Sequence, residues 1–188
     1  MMARRYSIIA SFLLGASGAC TPSTSQRLGL LAPAVAATVD LDRYLGTWYE
    51  IASFPKWFQR GCTGSIATYR AADDGRILVQ NSCHLDQLEG PLRVANGIVR
   101  QPDPAKPGQL RVSFWRPFWG DYWILELASD YSHAVVGAPS RDALWILSRT
   151  PQLPRATYAG ILTRLRGQGF ETERLVATLQ PTGLAELP

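Results

Sequence analysis

Charge is scarce in this chain. Only 18% of its 188 residues are Asp, Glu, Lys or Arg, and the formal net charge is +4. Two of those positive charges, Arg4 and Arg5, lie near the N-terminus, and 15 acidic residues are interspersed along the body. So mild a bias argues against nucleic acid as a partner. Lysine is almost absent, with Lys56 and Lys106 the only two, which points to a GC-rich coding bias more than to function. Histidine is equally rare. His84 and His133 stand at no ligand spacing from the cysteines, so no metal site is expected. Beyond the N-terminus there is no apolar run of about 20 residues, so the body does not cross a membrane as helices. No Ser/His/Asp order, paired acid or phosphate loop is convincing, and neither a catalytic residue nor a cofactor is expected.

What remains is an apolar, turn-rich chain. A 46% hydrophobic share excludes a disordered protein, and the length fits one ordinary domain with a short appendage. Thirteen Pro and 16 Gly are spread along it, which suggests many turns and short elements.

The first residues read as an export signal. Arg4 and Arg5 precede an apolar stretch, Tyr6 to Ala16, too short to span a bilayer. Small residues Ser17, Gly18 and Ala19 then lead to Cys20, as in bacterial signals whose cysteine is acylated and becomes the new N-terminus. The position three before the cysteine, usually Leu in such signals, is Ser17. Ordinary cleavage after Ala36, discarding Cys20, is the other reading, and leaves the protein free in the periplasm. With acylation, residues 1–19 are signal peptide, 20–39 a lipidated tether, 40–181 the folded domain and 182–188 a tail. Thr21 after the cysteine, by resemblance to sorted bacterial lipoproteins, favours the outer membrane, facing the periplasm.

Two cysteines remain, Cys62 and Cys83. Export implies an oxidising compartment. Between them the sequence reads strand, Asp74-Gly75 turn, strand, and folding that hairpin brings the two to within one residue of register. A disulfide there closes a loop worth about 3 kcal/mol.

From Tyr44 onward the pattern is almost wholly β. Strands are expected at Gly46–Phe54, Cys62–Ala71, Arg76–His84, Gln87–Arg100, Gln109–Trp115, Tyr122–Ala128, His133–Ala138 and Ala143–Arg149, with hairpin-length connections. Pro154 suits the first turn of one helix, along which Tyr158, Ile161, Leu162 and Leu165 recur on a single face before Gly167 and Gly169. A last short strand, Leu175–Leu179, ends before Pro181. This predicts an all-β fold, an eight-stranded antiparallel up-and-down barrel or a sandwich, with one helix packed outside. Alternation places Leu88, Leu92 and Val94 together on one face, and Leu110, Val112 and Phe114 on another. Small residues such as Ala52, Ala67 and Val79 among the inward set leave room for a ligand; a dry, filled core explains the alternation equally well.

Tyr44 to Ala52 (YLGTWYEIA) resembles the first signature of the lipocalins, a Gly-x-Trp opening the first strand. Tyr122 to Val136 resembles the second, with Asp130-Tyr131 at a turn, and Leu144 to Pro151 resembles the third, with Arg149 ending a strand. The three stand in family order, and the resemblance covers about Val39 to Pro181. It is most similar to bacterial outer-membrane lipocalins related to apolipoprotein D. The resemblance implies a closed barrel whose shut end is plugged by Gly46, Trp48, Asp130, Tyr131 and Arg149, as structural residues. It implies a small hydrophobic ligand, a fatty acid or lysophospholipid, within. Glu50, Ala67, Tyr69, Val79, Leu92, Val112, Phe114, Tyr122, Trp145 and Leu147 are the expected ligand contacts, with Glu50 as the polar one. Lys56, Trp57, Phe58 and Arg60 fall in the long first loop that lids the open end in this family, where aromatics beside cations could receive an acyl tail and a phosphate head. Storage or transport of membrane lipids is the implied role. The subgroup includes homodimers, though nothing in the sequence demands one. Two other roles stay open: a lipocalin-type isomerase using Cys62 as a thiolate, and a filled barrel acting as an interaction module.

Overall fold

Strand-length runs of alternating residues, broken by Gly, Pro and Asp, can only pair with their neighbours when the connections are this short. The computed structural model describes residues 31–184 apart from Gly75 and Thr182. The signal segment, Cys20, one residue of the Asp74-Gly75 turn and most of the expected tail lie outside the described residues.

Eight strands follow one another: β1 (Gly46–Ser53), β2 (Cys62–Ala71), β3 (Ile77–Leu85), β4 (Leu92–Arg100), β5 (Gln109–Ser113), β6 (Gly120–Leu127), β7 (His133–Gly137) and β8 (Leu144–Ser148). Each pairs antiparallel with the next, and β1 closes the ring by pairing with both β2 and β8. The all-β, eight-stranded barrel expected from the sequence is therefore what forms. A single turn of helix, α1 (Leu41–Tyr44), precedes it; Asp40 caps that turn by accepting from the backbone of Asp42 and Arg43.

The barrel has two apolar cores, one on each side of its wall. Inside lie Trp48, Tyr69, Val79, Val99, Leu110, Ile124, Ala134, Val136 and Leu147. Outside, helix α2 (Arg155–Gly167) lays Tyr158, Ile161 and Leu165 on Ile51, Phe54, Leu125, Val135, Leu144 and Ile146. Arg164 fastens the helix to the wall through a two-pronged ion pair with Glu126, at 2.8 and 2.5 Å.

Bulges decide which residues face which core. A register shift between Glu50 and Ala52 turns both Ile51 and Ala52 outward and leaves Glu50 and Ser53 pointing in. Ala52, expected inside, is thus part of the outer core. A second shift, between Ile124 and Glu126, likewise frees Glu126 for the helix.

Several boundaries differ from expectation. Strand β4 begins at Leu92 rather than Gln87, because residues 86–91 turn sharply: Asp86 has φ +65°, and a Cβ on Gly90 would lie 1.9 Å from the Leu85 carbonyl oxygen. Pro154 caps helix α2 instead of starting it. The final strand is broken in two, β9 (Val176–Ala177) and β10 (Leu179–Gln180), and β11 (Gly183–Leu184) pairs antiparallel with β10. The interruption falls at Thr178, whose N–H bonds to the Ile51 carbonyl. Strand β9 pairs with Ala52 and Ser53 of β1, beyond the last β2 pair at Tyr49.

Candidate functional site

Antiparallel order fixes two ends. At one end lie the start of β1 and the turns β2–β3, β4–β5 and β6–β7; at the other lie the four odd-to-even connections.

The first end is shut. Trp48 is fully buried and its indole N–H donates to the Tyr44 carbonyl at 2.9 Å. Arg149 covers it from outside, with its guanidinium carbon 3.8 Å from the ring centroid. The same guanidinium donates to the carbonyls of Thr47 (2.9 Å), Arg43 (2.8 Å), Tyr44 (3.3 Å) and Tyr131 (3.4 Å). Gly46 makes this approach feasible. Its φ is +93°, and any Cβ would stand 3.3 Å from Arg149 Nη1. Asp130 accepts from the Ser132 N–H, while the Tyr131 hydroxyl accepts from the Asp40 N–H at 2.8 Å and Arg43 lies over its ring. All five expected plug residues thus meet at one end of the barrel.

Above that floor three phenols converge. Tyr122 Oη lies 2.8 Å from Tyr44 Oη and 2.7 Å from Tyr69 Oη. Burial pushes all three above the usual tyrosine range, Tyr69 to about 12, so they stay neutral. Three protons serve two contacts, which leaves one O–H over. Tyr44 enters this group from α1 and has no strand alternation to announce it.

Higher still the inner face opens. Asn81 and Ala95, a cross-strand pair on the inward side of β3 and β4, are exposed, and Ala67, Val112, Tyr122 and Trp145 are half-buried. Phe114 lies on Gly97, where a Cβ would come within 2.9 Å of its ring. The barrel is therefore packed below, while inward-facing residues of its upper half are open to solvent. Nine of the ten expected ligand contacts lie on this inner face. Leu92 does not: it is 62% exposed on the outside, because the inward positions of β4 are those in register with Val79 and Ile77, namely Gly97 and Val99. On β4 the more apolar set, Leu92 and Val94, faces solvent, so alternation pointed to the wrong side there.

Beside the mouth, a cleft of about 400 Å³ runs between Glu50, Ser53, Lys56, Gln59 and Thr178. Glu50 is buried here, and its carboxylate is already engaged. It accepts from Thr178 Oγ1 (2.6 Å), Ser53 Oγ (3.0 Å) and Gln59 Nε2 (2.7 Å), while Gln180 Nε2 bridges the Glu50 and Ser65 carbonyls. Gln59 in turn accepts from the Trp145 indole at 3.0 Å. In the first loop it is Gln59 that reaches inward, while Trp57 and Phe58 face solvent. None of Gln59, Thr178 and Gln180 was among the residues the sequence singled out; nothing local marks a polar side chain as a bridge between strands this far apart. Cys62 and Cys83 form the expected disulfide at this end. With its sulfur so bonded, Cys62 offers no thiolate, and the isomerase role falls.

Residues 39–180 match the family profile described as a lipocalin-like domain. The chain belongs to the lipocalin family. Among its lipocalin relatives, the outer membrane lipoprotein Blc of Citrobacter freundii is 37% identical over 93% of this chain and 94% of that protein. Apolipoprotein D of Mus musculus is 32% identical over 90% of this chain and 93% of its own. Among solved lipocalin-fold structures, insecticyanin from the tobacco hornworm Manduca sexta superposes with a TM-score of 0.62 at 22% identity, covering 82% of this chain and 88% of that one.

Proposed function

We propose that this lipocalin takes up one long acyl chain, carried by a fatty acid or a lysophospholipid, for storage or transport in the bacterial envelope. The observation that carries the reading is the asymmetry of the barrel. Its lower half is packed around Trp48, whereas inward residues of its upper half, Asn81 and Ala95, remain exposed. A barrel open in its upper half, with Ala67, Val112, Phe114 and Trp145 only partly covered on its inner face, suits an apolar chain entering from the mouth. Each CH₂ removed from water contributes about 0.8 kcal/mol before ordering costs. The neutral phenol left over among Tyr44, Tyr69 and Tyr122 offers no charge to bind, which favours the tail, not the head, as the deep end. The role takes further support from relatives described as outer membrane lipoproteins. It is consistent with acylation of Cys20, which would tether the domain to the outer membrane. No catalytic step is proposed.

Native mass spectrometry of the delipidated protein, mixed with palmitic acid or a lysophosphatidylethanolamine, tests the uptake. A single bound chain is the expected result, and a barrel that stays empty favours an interaction module instead. Cys20→Ser is expected to release the protein into the soluble periplasm; membrane association unchanged by it would refute the anchor.

A further inference from the structure

The rim of the open end is unlike that of the closed end. Two of its four connections hold large aromatic side chains out to solvent. Trp57 is 74% and Phe58 48% exposed between β1 and β2; Trp115 is 75% and Phe118 77% exposed between β5 and β6. Among the described residues, no connection at the closed end shows an exposed large apolar side chain. Cations accompany these rings. The two aromatic connections contain Lys56, Arg60 and Arg116 and no carboxylate of their own, while Asp86 packs on Gly61 and Lys56 Nζ donates to the Asp142 carbonyl at 2.7 Å. Exposed aromatic rings beside Lys and Arg are the composition of a surface that settles at an anionic lipid interface.

The course of the N-terminal segment is compatible with the same orientation. Asp40 lies at the closed end, against Tyr131, and from there residues 39–31 run back along the outside of the wall, with the Ala36 N–H bonded to the Ile124 carbonyl. Leu31 arrives at the mouth, where its carbonyl accepts from Arg141 Nη2 of the β7–β8 connection at 2.7 Å. Only about ten residues separate Leu31 from Cys20, a reach of roughly 35 Å when extended. A tether of that length is long enough for an anchor on Cys20 to permit the mouth to meet the bilayer.

We propose that the open rim docks on an anionic phospholipid surface. Trp57, Phe58, Trp115 and Phe118 settle at the boundary between headgroups and acyl chains, and Lys56, Arg60 and Arg116 lie against the phosphates. This goes beyond acyl-chain uptake and stands or falls separately from it, because docking does not require cargo.

The test uses the secreted chain carrying Cys20→Ser, so that no acyl anchor contributes. Flotation with vesicles of phosphatidylglycerol and phosphatidylethanolamine is expected to carry the protein upward, with weaker binding to phosphatidylcholine vesicles and loss at high salt. Brominated acyl chains in the vesicles are expected to quench its tryptophan fluorescence. Trp115→Ser with Phe118→Ser is expected to weaken vesicle binding at least tenfold while palmitate uptake in solution is retained; Arg60→Glu with Arg116→Glu is expected to weaken it on anionic vesicles alone. Vesicle binding unchanged by the aromatic pair overturns the proposal. So does a protein that never floats, or one in which the pair instead abolishes a dimer seen by sedimentation. Loss of palmitate uptake with docking intact would overturn only the carrier function.

Discussion

The guanidinium of Arg149 lies 3.8 Å from the centre of the Trp48 ring and ties four backbone carbonyls around it. Trp48 lies in the first half of β1 and Arg149 follows β8, so this one contact draws the first and last strands of the barrel together at the floor. Stacking contributes about 1–2 kcal/mol when desolvated, and the charged hydrogen bonds add to it. Arg149→Ala is therefore expected to lower unfolding stability by roughly 2–4 kcal/mol, measured by urea denaturation. Arg149→Lys keeps the charge but not the planar fork, and should recover less than half of that loss.

The phenol cluster sets the alkaline limit of the fold. The folded protein holds the protons of Tyr44, Tyr69 and Tyr122 above the ordinary value, mainly because they are buried. An unfolded chain releases them near pH 10. Their contribution to stability is whole below that pH and declines as pH rises toward the folded value, about 12 for Tyr69. Absorbance at 295 nm should show these three ionising only with unfolding, after the exposed tyrosines. Tyr122→Phe removes both shared hydrogen bonds and is expected to shrink the alkaline loss, while costing about 1–3 kcal/mol at neutral pH.

Glu50 holds the mouth together. Its carboxylate joins the first loop, through Gln59, to the C-terminal strand, through Thr178. Glu50→Ala leaves those donors without their acceptor and is expected to cost about 2–4 kcal/mol. Hydrogen exchange should rise in residues 57–59 and 176–180 more than in β3 and β4. Uniform exchange across these segments would show that the carboxylate does not couple them.

Strand number, order and the external helix were legible in the sequence because hairpin connections and a period of two leave little choice. The Cys62–Cys83 disulfide was legible from the hairpin, although a register shift between Thr63 and Ile66 pairs Cys62 with Leu85, two residues from Cys83 rather than one. Faces were legible only where no bulge intervened. The shift between Glu50 and Ala52 reversed the expected side of Ala52, a geometry that no local residue pattern encodes. Leu92 failed differently. A barrel open at its upper half lacks the packing that forces the apolar face inward, so β4 carries Leu92 and Val94 outside and Ala95 inside. Tyr44, Gln59, Thr178 and Gln180 were hidden because they reach the site from outside the eight strands.

A lumen large enough for one acyl chain is the centre of this account, and filling it by mutation tests it most directly. Ala67 sits on the inner face opposite Trp48 and Asn81, between the packed floor and the open mouth. Titration with a fluorescent fatty acid should saturate at one site per wild-type barrel. Ala67→Trp, folded as judged by circular dichroism, should lose that saturation by tenfold or more. Equal binding by the two proteins would place the chain somewhere other than the lumen and contradict the account.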